Sequence, residues 1–114
     1  MRHKTVVIDG VTYLKAEGDK QFVIVRSYGA GVFAGFLAEK TVAEIVSVKL
    51  DRCIRLHAWT GCSLSQVAND GIAGNGENRF SMATDNHEIF NVIEIIPCTE
   101  KARIAIQGVR TWEK

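Results

Sequence analysis

Cysteine is scarce in this chain and is arranged for neither staples nor metal. Cys53, Cys62 and Cys98 are an odd number with no C-x-x-C spacing. That usage suits a reducing cytoplasm in which thiols serve as small buried hydrophobes. Charge of one sign is also lacking. A formal net charge of +1 argues against a coat that lives by neutralising nucleic-acid phosphates, although it leaves room for a local basic patch. No apolar run reaches the length of a membrane span, and MRHKTVVIDG lacks the long apolar region of a signal peptide. His3, His57 and His87 are scattered, without HExxH or Cys/His ligand spacing, and no cofactor motif is present. The only proline, Pro97, closes an apolar run, since it cannot donate to a ladder.

What is present is apolar and strand-like. With 46% hydrophobic residues in 114, the chain is expected to build one domain, 1–114, around a core that needs no metal or disulfide. TVVIDGVTYL, from Thr5 to Leu14, predicts two short strands around the tight-turn dipeptide Asp9-Gly10. QFVIVRSYGAGVFAGFL, from Gln21 to Leu37, is the longest strand-like tract. Phe22, Ile24, Arg26 and Tyr28 share one parity within it; Val23, Val25 and Ser27 share the other. Gly29, Gly31 and Gly35 admit two readings. They offer a smooth platform for a flat ligand or another backbone, or they mark a bend, hairpin or close sheet contact. No dinucleotide fingerprint or P-loop follows from them.

Thr41 to Leu50 predicts a further strand, with Val46, Val48 and Leu50 inward, and Asp51-Arg52 predicts a bulge or a short turn before Cys53. The stretch from Arg52 to Ala68 combines a strand, a Gly break and a capped helix. Alternation places Ile54, Leu56 and Ala58 on one side and Cys53, Arg55, His57 and Trp59 on the other. Ser63 and Gln66 match a capping box for a helix over 64–70, which Gly71 ends. GIAGNGENRF, 71–80, predicts a loop, and a lid is one use for it. HEIFNVIEII, 87–96, predicts an apolar strand. Thr99 can cap a helix over TEKARIAIQGV, with Ala102, Ala105, Ile106 and Val109 on one face; Ile104 falls off it, so a strand stays open here. Trp112 is expected to pin the C-terminus. The whole predicts an α+β fold: a mainly antiparallel sheet of about five or six strands with two short helices.

Candidate chemistry is sparse. His57 with Cys53 could imitate a Cys-His pair, but four residues along a strand is too far for proton transfer. Asp9, Asp19, Asp51, Asp70 and Asp85 fall mostly in turns, where Asp bonds locally, so a paired-carboxylate site has little support. A ligand-binding face fares better. Arg55, His57 and Trp59 supply a cation, a polar ring and a stacking plane, and Arg26 with Tyr28 repeats the combination. Ser63 opens a helix with free N–H groups, Gly29 and Gly31 allow close approach, and Arg79 can reach in from the loop. The plainer roles are a core or interface anchor for Trp59, solvated charges for Arg26 and Arg55, and a surface ring for His57.

GAGVFAG at 29–35, WTG at 59–61, SLSQVA at 63–68 and PCTEKA at 97–102 resemble blocks of a family of small uncharacterised bacteriophage and prophage proteins, over residues 20 to 112. His57 departs from it, standing where that family favours an aromatic. The resemblance implies phage origin and no established activity. In that setting the expected function is binding and sequestering a nucleotide-derived metabolite or an immune signalling nucleotide in the host cytoplasm, without catalysis or cofactor. The partners expected are that nucleotide-like molecule and further copies of the chain. Nucleic acid is discouraged by the charge and a membrane by the hydropathy. The alternative is a non-catalytic structural or protein-interaction protein of the infected cell.

Overall fold

A computed structural model describes residues 2–72 and 77–112. The chain begins with a two-residue hairpin. β1 (Arg2–Ile8) and β2 (Val11–Glu17) pair antiparallel, with Ile8 facing Val11 across Asp9-Gly10. Both turn residues have positive φ, 51° and 78°, which is the I′ geometry that matches strand twist and that Asp-Gly favours.

β3 (Phe22–Ser27) and β4 (Gly31–Val42) form the second hairpin. The long tract from Gln21 is thus two strands, and the glycines make the turn: Gly29 and Gly31 adopt φ of 88° and 112°. A Cβ at either would meet nothing within 4 Å, so backbone conformation is what selects glycine there. Gly35 is different. A Cβ on it would lie 3.0 Å from the Asp51 carbonyl oxygen and 3.1 Å from Cys53 Cα. Here the bare backbone lets a neighbouring strand come close.

That strand is β5 (Val46–Ala58), which pairs with β4 over nearly its whole length. The expected 41–50 strand is corrected: Ala43, Glu44 and Ile45 turn the chain between β4 and β5, and the predicted 53–59 strand is the far end of one 13-residue strand. The bulge stands where expected, with Arg52 at φ 50° and a register shift opposite it. The 87–96 strand is also two pieces. β7 (His87–Ile89) pairs with β5 and β8 (Val92–Pro97) with β3, because Asn91 at φ 55° turns the chain between them. β6 (Arg79–Phe80) extends the other end of β5. Among the described residues eight strands replace the expected five or six: the 21–37 and 87–96 tracts each divide at a turn and β6 forms within the predicted 71–80 loop, while most of 41–50 merges with 53–59 into β5. The fold is α+β with a largely antiparallel sheet and two helices.

α1 (Leu64–Asp70) is capped by Ser63, whose Oγ accepts from Gln66 N–H at 3.3 Å. α2 (Glu100–Gln107) is capped by Thr99, whose Oγ1 accepts from Ala102 N–H at 3.1 Å. The open choice over 99–109 resolves to helix. Its buried positions are Ala102 and Ile106, and Ile104 is exposed. Thr99 also donates to the Asn69 carbonyl, tying the helices together. No helix among the described residues is long and apolar enough to cross a membrane.

Two cores lie on opposite faces of the sheet. One joins Phe22, Ile24, Ala34, Ile54, Leu56 and Phe80 to Val67, Ala68 and Ile106 of the helices. The other holds Val23, Val25, Phe33, Leu37, Val48, Leu50, Cys53 and Ile89. Alternation along β3 serves both, so odd and even residues are buried alike.

Candidate functional site

The two faces divide the expected site. Arg26 shares its side of β3 with Phe22 and Ile24, on the helix-covered face, where Nε donates to Glu94 at 2.7 Å. Arg55 shares its side of β5 with Cys53, on the other face, and its guanidinium lies 4.8 Å above the Phe33 ring. The two cations therefore cannot serve one ligand on one surface, which corrects the combined site.

Trp59 also leaves the Arg55 face. It packs against the helix-side core with Cys62 and Leu64, and its indole N–H donates to the Cys62 carbonyl at 3.0 Å. The alternation stops at Ala58, where β5 ends, so parity no longer places the ring. Ser63 sits in the same corner, its hydroxyl engaged with the first turn of a seven-residue helix. His57 and Arg79 meet elsewhere. Both rest against Trp112, with the His57 ring 5.9 Å from the indole and the Arg79 guanidinium 5.5 Å over it. Trp112 N–H donates to the Phe80 carbonyl at 2.8 Å, so this residue does pin the C-terminal segment. Of the predicted lid loop, residues 73–76 lie outside the described residues.

Arg55, Tyr28 and Gly29 do come together. They line a cleft of about 220 Å³ between the β3–β4 turn and the β7–β8 turn, with Phe33, His87 and Phe90. The two turns are fastened to one another: Tyr28 N–H donates to the Asn91 carbonyl at 2.9 Å, and Ser27 Oγ to the Phe90 carbonyl at 2.5 Å. The Tyr28 side chain stands 77% exposed at the rim. Among the described residues Arg55 has no carboxylate in an ion pair with it. Its backbone is held instead, with N–H donating to Ser81 Oγ at 2.8 Å and the carbonyl accepting from Ser81 N–H at 2.9 Å.

Beside Arg55, His87 lies 5.4 Å from the Phe33 ring and shares a 2.8 Å hydrogen bond between Nδ1 and Thr84 Oγ1. Burial, and secondly the Arg55 charge, hold its pKa below the ordinary 6.5, so the ring is neutral at pH 7. Beneath them burial pushes the Cys53 thiol up to about 12 against the opposing pull of Arg55. It is a protonated core residue at neutral pH; the partly buried Cys98, pushed up to about 11, is protonated too. Phe33 and His87 were missed as site residues. The first is an apolar residue among glycines with no polar group to mark it, and the second became a neighbour only through the β5–β7 pairing.

The acidic residues do structural work. Asp51 accepts from Asn86 N–H at 3.0 Å and pairs with Lys20 at 2.6 Å, while Asp85 accepts from Arg52 N–H at 2.9 Å. Together they brace the bulge. Lys20 first, and the Asn86 N–H second, hold the Asp51 carboxyl below its ordinary range. Among the described residues no three His, Cys, Asp or Glu side chains are grouped to hold a metal ion.

No curated protein and no solved structure matches this chain. A family model does, over residues 20–106, which takes in everything from β3 to most of α2 and leaves out the first hairpin. The protein belongs to the family defined by that model, a domain of unknown function (DUF6948).

Proposed function

We propose that the protein is a non-catalytic binding module that captures a nucleotide-derived metabolite through the Arg55 cleft. The observation that carries this reading is the placement of Arg55: a cation laid on the Phe33 ring, free of a carboxylate ion pair among the described residues, at the floor of a cleft with an exposed tyrosine at its rim. A guanidinium in that position takes a phosphate or carboxylate, and Tyr28 offers a plane for a base. The cleft is smaller than the roughly 300–1,000 Å³ of sites that enclose a whole ligand. It suits one anionic or flat moiety, with the rest of the molecule lying across the two turns. The phage setting suggested by the sequence blocks makes a host immune signalling nucleotide the natural target, in the host cytoplasm, with sequestration as the activity.

The test is to denature purified protein, identify released small molecules by mass spectrometry, and titrate linear and cyclic nucleotides by calorimetry. Sequestration calls for nanomolar binding, about −12 kcal/mol. Arg55→Met is expected to weaken it at least tenfold while Arg26→Met leaves it unchanged. No released ligand and no heat across the panel would overturn the reading.

A second reading, a protein-interaction role, is favoured by apolar side chains that stand outside both cores, Phe90 and Ile93 among them. It predicts a stoichiometric protein partner that Phe90→Asp releases, with nucleotide titrations flat.

A further inference from the structure

β1 is the last strand of the sheet and, among the described residues, pairs only with β2, leaving its other edge bare. Natural edges are blunted by charged side chains, proline, bulges or a covering element, because unpaired N–H and C=O groups invite another strand. β1 has no proline and no bulge, its charged residues are confined to its start, Arg2 to Lys4, and the apolar residues beyond them are open: Val6, Val7 and Ile8 are 41%, 64% and 56% exposed.

The hairpin turn fixes which groups point outward. A two-residue I′ turn makes its flanking pair hydrogen-bonded, so Ile8, Val6 and Lys4 direct their backbone groups towards β2. His3, Thr5 and Val7 therefore present N–H and C=O to the free edge.

We propose that this edge pairs antiparallel with β1 of a second copy, about a twofold axis at Val6. Directly opposed residues must share a face, so only registers centred on a residue are allowed. Centring on Val6 sets Thr5 against Val7 of the other copy, exchanging about four backbone hydrogen bonds from the two outward pairs. It sets Val6 beside the other Val6, and Tyr13 already flanks Val6 in the β1–β2 register. A row of Tyr13, Val6, Val6 and Tyr13 then runs unbroken across one face. The charges agree as well. His3 falls opposite Asp9 and Lys4 opposite Ile8, so the basic start of each strand meets the acidic and apolar end of its mate. A parallel pairing would instead stack the cations. The isologous contact closes on itself and leaves the Arg55 cleft, on a different part of the sheet, untouched.

The experiment pairs sedimentation with cysteine cross-linking. Wild-type protein is expected to double its apparent mass as concentration rises through the micromolar range. Thr5→Pro and Val7→Pro remove outward donors without touching the β2 ladder, and both are expected to stay at monomer mass. Val6→Cys places two sulfurs on a non-hydrogen-bonded pair about 4.5 Å apart between Cα atoms, within disulfide range. It is expected to give an oxidised dimer on a non-reducing gel. Val7→Cys, whose two copies stand two residues out of step at roughly 8 Å, is not. Monomer mass for wild type at every concentration would overturn the proposal, as would Val6→Cys cross-linking no better than Val7→Cys.

Discussion

Replacing Trp59 separates two roles that look alike in the sequence, a stacking plane for a ligand and a bracket for the fold. The ring is half-buried against the helix-side core, and its N–H bonds the Cys62 carbonyl. Trp59→Ala removes most of a large apolar contact and leaves that carbonyl without its donor. A fully buried aromatic costs about 3–5 kcal/mol on truncation, and partial burial brings this to about 2–3. The lost hydrogen bond adds about 1 kcal/mol. A total of about 3–4 kcal/mol is a large part of the roughly 5–15 kcal/mol that holds a domain of this size together. At about 2.1 cal/mol/K per residue, that lowers Tm by roughly 12–17 °C.

Two companions sharpen the measurement. Trp59→Phe keeps the packing and loses the donor, for about 1 kcal/mol. Arg55→Met keeps the aliphatic contact with Phe33 and gives up a cation–π interaction of about 0.5–1 kcal/mol, so its Tm stays near wild type. Thermal melts by circular dichroism, with nucleotide titrations alongside, give the comparison. Trp59→Ala should melt early and, where folded, bind as wild type does; Arg55→Met should do the reverse. A Trp59→Ala protein that melts with wild type and loses ligand would refute the placement of this ring.

Gly35→Ala should destabilise by about 1–3 kcal/mol in urea melts, because the added Cβ presses on the Asp51 carbonyl and Cys53 Cα and a backbone must move; a neutral result would mean β4 and β5 separate freely. Thr99→Ala should cost about 1–2 kcal/mol by the same assay, since one hydroxyl caps α2 and bonds the Asn69 carbonyl at the end of α1, and Thr99→Ser should restore most of it. The pH dependence has a definite sign. His87 is held below 6.5 in the fold, so the unfolded chain takes up the proton first; stability is full above about pH 6.5 and falls as pH drops through the folded pKa. Asp51, held below its ordinary 3.8, adds a loss in the same direction at lower pH. Arg55→Met should move the His87 titration upward by NMR, towards but not to the ordinary value, because burial is the larger cause.

Local chemistry was legible where one or two residues decide the outcome. Asp9-Gly10 announced a hairpin, Ser63 and Thr99 announced caps, and Asp51-Arg52 announced a bulge or a short turn, because each works through its own backbone and needs no distant partner. The breaks inside apolar tracts were less visible. Ala43-Glu44-Ile45 carries no turn residue, and in Phe90-Asn91 a lone Asn at positive φ makes the bend. The site suffered most. Arg26 and Arg55 read as equivalent cation-and-aromatic pairs, and only the pairing order of the sheet shows that they face opposite ways. His87 joined the cleft through a strand partner 37 residues away in sequence, Leu50, to which no local pattern points.

The bulge at Arg52 explains why the cleft has a cation at all. Before it, even residues of β5 face the second core: Val48 and Leu50 lie there with Phe33 and Leu37. After it the parity inverts, so Cys53 faces that core while Ile54 and Leu56 turn to the helices. One extra residue is enough, since the side-chain period in a strand is two. Without the bulge the apolar Ile54 and Leu56 would point at the β3–β4 and β7–β8 turns, and Arg55 would be driven against Val67 and Ile106, where a charge finds no partner. The bulge is therefore what lets one strand contribute to two cores and still aim a guanidinium at the open end of one of them. Lys20, Asp51, Asp85 and the Thr84 backbone, which exchanges hydrogen bonds of 2.7 and 2.9 Å with Cys53, hold it in place. These groups never reach the cleft, yet they set which side of the sheet Arg55 occupies.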